Sequence, residues 1–143
     1  MSQKILIVAS EYYRDITNNL VAGATYVLEN LKINYDIKKT NGSFEIPFII
    51  NKNIKLFDGF IALGCIIRGE TYHFELISNE VTRKIMSISI GSNKPIGFGI
   101  ITCENIEQAK ARSSLDQNPK NKFLTKSNKG EEAALAVVNL LNH

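Results

Sequence analysis

The sequence predicts an α/β fold in which helices cover both faces of a central, mostly parallel four-stranded sheet. Runs rich in Ile, Val, Leu and Phe predict strands at residues 4–9, 35–39, 59–67 and 95–102. All but the second run are nearly continuously apolar, which is typical of parallel strands buried on both faces. Segments with helical spacing separate the strands, and each connection is long enough for a right-handed crossover. The pattern therefore indicates an open α/β sandwich.

The helices are predicted from the spacing of their apolar residues. Residues three or four positions apart share one helix face, so each apolar stripe can pack on the sheet. One stripe lies between the first two strands, a second follows the third strand, and a last helix covers residues 130–141. The two stripes consist of Ile16, Leu20, Ala24, Val27, Leu28 and Leu31, and of Phe74, Ile77, Val81, Ile85 and Ile88.

Length, charge and cysteine usage limit the class of protein. The 143 residues fit a single domain, 1–143, with one hydrophobic core. A net charge of +3 with 22% charged residues indicates neither a nucleic-acid-binding stripe nor a membrane-surface patch. The first apolar run, 5–9, is too short for a signal peptide or a membrane span, so we expect a cytoplasmic protein. Cys65 and Cys103 have no CxxC spacing or histidine partner, so we expect free buried thiols and no metal site.

One long stretch, residues 113–129, has no regular apolar spacing and is rich in turn-forming residues. A structureless connection of this length is unusual in a compact domain, so it is either functional or a local elaboration. Arg112 and Lys129 bracket the stretch, and each could meet an anion.

Ligands of open α/β sheets bind at the carboxyl ends of the strands, where helix N-termini point into the crevice. This rule selects residues 10–13, 40–45, 67–73 and 98–105. Within 67–73, Gly69 permits close backbone approach by a phosphate, and Thr71 can cap the next helix while offering a hydroxyl. We expect His73 just inside that helix, where it can move protons. The same spacing also fits an ordinary capped helix in which Glu70 stabilises the dipole.

The segments after the first two strands offer groups for a flat, polar ligand. Residues 41–47 predict a turn entering a helix, in which the backbone N–H groups of Ser43 and Phe44 are available to a heterocycle. Glu45 could bind hydroxyls, although a first-turn glutamate also stabilises a helix dipole. Tyr12 and Tyr13 could stack on a ring, although surface tyrosines near a helix start are at least as common.

Several motifs, in this order along the chain, resemble the lumazine synthase family, and the resemblance covers nearly the whole chain. Any one fragment is weak, but the ordered set is highly specific. The fragments are Gly42-Ser43-Phe44-Glu45-Ile46-Pro47, Leu63-Gly64-Cys65-Ile66-Ile67-Arg68-Gly69-Glu70-Thr71-Tyr72-His73-Phe74, Ser78-Asn79-Glu80, Pro95-Ile96-Gly97-Phe98-Gly99-Ile100, Glu104-Asn105-Ile106-Glu107-Gln108-Ala109 and Asn128-Lys129-Gly130-Glu131-Glu132-Ala133-Ala134.

The resemblance implies a three-layer α/β/α, flavodoxin-like subunit that forms pentamers, or pairs of pentamers, with active sites shared between neighbouring subunits. The implied reaction joins 5-amino-6-(D-ribitylamino)uracil to 3,4-dihydroxy-2-butanone 4-phosphate. It gives 6,7-dimethyl-8-ribityllumazine, phosphate and water, the penultimate step of riboflavin biosynthesis. No metal or organic cofactor is implied, and riboflavin synthase is a candidate partner.

The resemblance also implies roles for individual residues. Tyr12 would stack on the pyrimidine ring, Ser43 and Glu45 would hold the ribityl chain, and His73 would transfer protons. The neighbouring subunit would contribute Arg112 to the phosphate and Phe98 to the heterocycle. The remaining substrate-binding positions are Phe44, Cys65, Ile66 and Ile67 along the pocket, Gly69, Glu70 and Thr71 in the phosphate pocket, and Lys129 and Glu132 near the last helix.

Departures from the family pattern leave some assignments open. Tyr13 stands where relatives usually carry Asn, so either tyrosine is a candidate for stacking. The stretch between Arg112 and Lys129 is longer than in typical members, which leaves the register of Arg112 open. We expect the extra residues to prevent assembly of pentamers into a closed shell.

Two other functions are alternatives to this one. An archaeal-type riboflavin synthase would act on two lumazine molecules, and the phosphate seat with His73 argues against it. A flavin-binding or shell-forming protein without activity would not need Glu45, His73, Arg112 and Lys129 together.

Overall fold

The computed structural model describes residues 3–70, 73–115 and 128–143, and shows strands alternating with helices along the chain. A 3-10 turn, Ser43–Glu45, directly precedes α2. The elements in chain order are β1 (Lys4–Ser10), α1 (Arg14–Asn30), β2 (Asn34–Thr40), α2 (Ile46–Lys52), β3 (Gly59–Ile67), α3 (Phe74–Ser92), β4 (Ile96–Cys103), α4 (Ile106–Arg112) and α5 (Lys129–Leu141).

The strands form a four-stranded sheet in the order β2-β1-β3-β4, and each neighbouring pair is parallel. Each strand begins and ends within one residue of its predicted bounds. The fully buried strand β3 lies inside the sheet, and β2, whose sequence carries charged residues, lies at an edge with most of its side chains exposed. The continuous apolar runs of β1 and β3 thus mark strands covered on both faces, as predicted. The same prediction is wrong for β4, which lies at the other edge of the sheet and leaves Phe98 and Thr102 exposed.

Helices pack on both faces of the sheet, which confirms the three-layer α/β/α, flavodoxin-like prediction. Alternate side chains of β3 point to opposite layers. Ile61, Leu63 and Ile67 belong to a core cluster with residues of α1, α4 and α5. Phe60, Ala62 and Ile66 belong to a second cluster with residues of α2 and α3. No helix within the described ranges has the length and apolar character needed to cross a membrane.

The start of α3 differs from the prediction. The helix begins at Phe74, and His73 is its N-cap residue in a left-handed conformation with φ 61°. The expectation that His73 lies just inside the helix is therefore wrong. The chain reverses direction between β3 and α3. His73 lies in this reversal in the left-handed region of backbone conformation, which His adopts more readily than most residues. Thr71, the predicted cap, lies outside the described residues.

Buried Asn128 organises the chain after α4. Its amide nitrogen donates to the carbonyl oxygens of Asn19 in α1, at 3.0 Å, and Ser113, at 2.9 Å. Its side-chain oxygen accepts from the backbone N–H of Gly130, at 2.8 Å, and of Glu131, at 3.2 Å. One side chain therefore caps α5, joins it to α1 and holds Ser113 nearby. Most of the long stretch between Arg112 and Lys129, residues 116–127, lies outside the described residues.

Candidate active site

A pocket of about 350 Å³ lies at the carboxyl ends of the strands, where ligands bind in open α/β sheets. The chain leaves β1 towards β2 on one side, and β3 lies on the other, so the pocket opens at the point where the strand order reverses. Its volume is within the range of small-molecule sites, roughly 300–1,000 Å³. The lining residues are Tyr12, Gly42, Ser43, Phe44, Cys65, Ile66, Glu70 and Ile77.

Ser43 supplies a buried polar group at this pocket. The residue is only 7% exposed. Its hydroxyl oxygen has no hydrogen-bond partner among the described residues. Burying a hydroxyl without a partner is unfavourable by about 1–3 kcal/mol in proteins. A ligand hydroxyl or carbonyl in the pocket would supply the missing partner, so Ser43 is a strong candidate for substrate binding.

The two tyrosines after β1 lie in different environments. Tyr12 is 64% exposed and lines the pocket. Tyr13 is partly buried and packs against the core cluster that contains α1 and α5. Their rings meet edge to face, with centroids 4.9 Å apart, so Tyr13 supports the Tyr12 ring from the side. This arrangement favours Tyr12 as the residue that stacks on a ring.

Arg68 fixes the loop that follows β3. Its Nε donates to Glu104 after β4 at 2.8 Å, and its Nη1 donates to Glu75 in the first turn of α3. Its guanidinium also lies 4.5 Å from the centre of the Phe74 ring. The contact with Arg68 holds the pKa of Glu75 below its ordinary value. One side chain thereby ties the ends of two strands to the start of α3.

Gly69 and Glu70 lie in the loop after β3 that Arg68 holds in place. Gly69 has φ 83°, a left-handed conformation that favours glycine. Among the described residues, no heavy atom lies within 4 Å of the place where its Cβ would stand, so the backbone is accessible to a ligand. Glu70 lines the pocket. The loop therefore keeps the features of the predicted phosphate seat, with Thr71 outside the described residues.

Cys65, Cys103 and Arg112 form a cluster behind the pocket. The two cysteines are free and buried, as predicted, and lie on the neighbouring strands β3 and β4. Arg112 Nη1 donates to the Thr102 carbonyl at 2.9 Å and lies 3.5 Å from Cys103 Sγ. A hydrogen bond from Cys65 and the nearby Arg112 guanidinium lower the pKa of Cys103 to about 7, although burial opposes the shift.

The pKa of Cys65 shifts in the opposite direction. Its hydrogen bond to Cys103 raises the pKa of Cys65, and burial adds to the increase. The directions of the two pKa shifts favour ionisation of Cys103, beside Arg112, over ionisation of Cys65. Cys65 thus presents a neutral thiol to the pocket, and the negative charge forms beside Arg112.

Other predicted residues lie away from the lining of this pocket. The Ile67 side chain is fully buried in the core, so a ligand could reach only its backbone. Phe98, 41% exposed, lies on the edge strand β4. Lys129 and Glu132 form an ion pair of 2.8 Å in the first turn of α5. The side chains of Glu45 and His73 are exposed near the pocket but are not part of its lining.

Sequence reasoning did not select Gly42 and Ile77 as individual lining residues. Ile77 was predicted only as a member of the apolar stripe of α3, and the position of that stripe beside the pocket depends on tertiary packing. Gly42 belongs to the motif at residues 42–47 and lies within the segment 40–45, where ligand-binding residues are expected. A signal for Gly42 was therefore available, whereas nothing in the local pattern distinguishes Ile77 from the other apolar residues of its helix.

A larger groove of about 630 Å³ runs between α2 and the second half of α3. Its lining includes Phe48, Asn51 and Lys84, and it lies away from the loops that follow the strands. Within the described parts of the chain, no group of three or more His, Cys, Asp or Glu side chains is placed to hold a metal ion.

The fold and the pocket define a flavodoxin-like α/β protein with a mostly apolar crevice, which carries a few polar groups, beside a loop suited to an anion. The family model for 6,7-dimethyl-8-ribityllumazine synthase matches residues 2–143. A 6,7-dimethyl-8-ribityllumazine synthase of Bartonella henselae is 41% identical over 140 residues, covering 95% of this chain and 86% of the relative. One of Agrobacterium fabrum is 38% identical over 143 residues, covering 95% and 93%. This chain belongs to the 6,7-dimethyl-8-ribityllumazine synthase family.

Proposed function

We propose that this chain, acting as a single domain, is a transferase that condenses 5-amino-6-(D-ribitylamino)uracil with 3,4-dihydroxy-2-butanone 4-phosphate. The products are 6,7-dimethyl-8-ribityllumazine, phosphate and water, in the penultimate step of riboflavin biosynthesis. The observation that carries the proposal is the pocket at the sheet reversal point, which is lined by Tyr12, Glu70 and Ser43, in a chain whose residues 2–143 match the family model. The Ser43 hydroxyl has no hydrogen-bond partner among the described residues.

The aminouracil would occupy the end of the pocket formed by the segments after β1 and β2. Tyr12 is exposed and supported by Tyr13, which suits stacking on the flat ring. The Ser43 hydroxyl and the backbone around Phe44 would bind polar groups, and Glu45 at the rim would bind ribityl hydroxyls. Cys65 and Ile66 would form the wall, with Cys65 as a neutral thiol.

The ketone phosphate would bind at the loop after β3. Gly69 lets the phosphate approach the backbone, and the N-terminus of α3 favours an anion. Glu70 and Thr71 would line this end of the pocket. Arg112 of a neighbouring subunit, together with Lys129, would supply positive charge, because phosphate groups favour such charge-assisted contacts.

The chemistry then follows from the two substrates. The 5-amino group attacks the ketone and water leaves, giving an imine. Phosphate is eliminated, and the ribityl-bearing nitrogen closes the second ring as water leaves. Holding both reactants in one pocket would supply most of the acceleration, and His73 would contribute proton transfer of smaller effect.

We also propose that the protein works as a homo-oligomer, a pentamer or a pair of pentamers, with shared sites. Large apolar side chains are exposed on α2, α3 and β4, including Phe48, Ile90 and Phe98 at 66%, 73% and 41%. Exposed apolar area of this kind is typical of interfaces. Phe98, Lys129 and Glu132 lie off the lining of their own chain's pocket, which supports their action in a neighbour's site.

The location and the partner are parts of the same proposal. Free buried thiols suit a cytoplasmic enzyme. Riboflavin synthase, which would consume the product, is the proposed partner.

Turnover with both substrates tests the function. Purified protein should produce the fluorescent lumazine and phosphate in equal amounts, and omission of either substrate should abolish both signals. Lumazine given alone should remain unchanged, because its conversion to riboflavin would identify the rival synthase activity. Phosphate release without lumazine, or no reaction by assembled protein, would contradict the proposal.

A further inference from the structure

Gly64 lies on β3 beside the pocket-lining residues Cys65 and Ile66. A Cβ atom added to Gly64 would stand 2.5 Å from Ser43 Oγ and 3.3 Å from Ser10 Cβ. The first distance is too short for any real contact between these atoms. A glycine inside a strand often marks a place where another group approaches the sheet closely. Here that group is the Ser43 hydroxyl.

The Ser43 hydroxyl occupies the space that a Gly64 side chain would fill. It is buried and lacks a hydrogen-bond partner among the described residues, although Ser43 lines the pocket. Folding would normally place such a hydroxyl where it meets a partner or water. The absence of a Gly64 side chain lets the hydroxyl lie against the sheet, closed off from solvent, so it meets a ligand only when the Ser43 side chain turns towards the pocket.

We propose that Gly64 is a positioning residue for the aminouracil substrate, because its missing side chain forms the recess that keeps the Ser43 hydroxyl beside the pocket, from which it turns to the ribityl chain. The inference rests on the proposed function and assigns a specific recognition element to it. Gly64 acts only through Ser43, since its own missing side chain offers no group to the ligand.

The test measures the dissociation constant of the aminouracil, without ketone phosphate, for wild type and three variants. Gly64→Ala should weaken binding about tenfold, the value expected when one hydrogen bond to a buried hydroxyl is lost. Ser43→Ala should weaken it by a similar factor. The double variant Gly64→Ala/Ser43→Gly should bind no more weakly than Ser43→Ala, because the clashing atom and the hydroxyl are already absent. A double variant that binds much more weakly than Ser43→Ala would overturn the proposal.

A control separates positioning from packing. Gly59→Ala lies at the other end of the same strand, where its Cβ would meet Val137 Cγ1 at 2.8 Å. It should lower stability without changing the affinity of the folded protein. In turnover, Gly64→Ala should raise the KM for the aminouracil and leave the KM for the ketone phosphate unchanged. Equal changes in both constants would indicate a general structural defect and refute the positioning role.

A second ligand tests the contact with the ribityl chain. An aminouracil carrying a methyl group in place of ribityl should bind equally to wild type and Gly64→Ala. A tenfold difference with this ligand would show that Ser43 contacts the ring instead, against the proposal. If Gly64→Ala does not fold, recovery of folding in the double variant supports the steric contact, and continued failure refutes it. Failure of wild type to bind any aminouracil would instead reject the proposed function.

Discussion

Replacing Asn128 by alanine should destabilise the protein far more than the loss of an ordinary helix cap. The side chain is 1% exposed. It accepts from Gly130 and Glu131 and donates to the carbonyls of Asn19 and Ser113. Loss of the cap should remove about 1 kcal/mol of stability. The buried carbonyl of Ser113 and the part-buried carbonyl of Asn19 would also lose this donor, each loss unfavourable by about 1 kcal/mol. The total loss should be about 3 kcal/mol.

Asn105→Ala provides a matched control. Asn105 caps α4 by accepting from the Gln108 N–H at 2.9 Å, and this residue is exposed. Its replacement should reduce stability by about 1 kcal/mol. Urea unfolding at one fixed protomer concentration should therefore separate the two variants by about 2 kcal/mol, with the slope of unfolding unchanged. Equal losses would refute the argument that Asn128 joins α1, Ser113 and α5, and would leave it as a simple cap.

Three further variants test the roles of single side chains, and one measurement tests assembly. His73→Ala should slow turnover moderately while leaving aminouracil affinity nearly intact, because His73 moves protons without forming a covalent bond; an unchanged rate would exclude its role. Arg112→Ala should chiefly raise the KM for the ketone phosphate, whereas a change confined to the aminouracil would place Arg112 elsewhere. Because the pKa of Cys103 is lowered to about 7, its ionisation contributes stability that is present above the ordinary cysteine value of 9.0 and lost as pH falls through 7. The urea midpoint of the wild type should therefore rise between pH 7 and pH 9, and Cys103→Ser should reduce this rise. An unaltered rise would contradict the lowered pKa of Cys103. Sedimentation should show a pentamer or a pair of pentamers, because the long 113–129 connection would obstruct the contacts of a closed shell; a megadalton particle would refute this expectation.

The fold was largely predictable because its elements carry strong local patterns. The continuous apolar runs of β1, β3 and β4 made these strands evident in the sequence, although β4 lies at an edge of the sheet and is not covered on both faces. Even β2, with its charged residues, was placed within one residue of its observed bounds. The start of α3 was misplaced because the left-handed conformation of His73 depends on the reversal after β3. No local propensity specifies that reversal.

The site was predictable only in outline. Ligands of open α/β sheets bind at the carboxyl ends of the strands, and this rule selected the loops that carry Tyr12, Ser43 and Glu70. These three residues line the pocket. Contacts between distant segments could not be predicted in the same way. The close approach of Ser43 to Gly64 and the bond from Asn128 to the Asn19 carbonyl depend on packing between elements far apart in the sequence. Such contacts leave no periodic signal.

A crystal structure with an unreactive substrate analogue would show where the aminouracil binds. An aminouracil whose 5-amino group is replaced by a nitro group cannot form the imine, so it should remain bound unchanged. Its ring should lie against Tyr12, and its ribityl chain should lie within hydrogen-bond distance of Ser43 Oγ. Binding of the analogue in the groove beside Phe48 and Lys84, with the pocket at the strand ends empty, would contradict the proposed site.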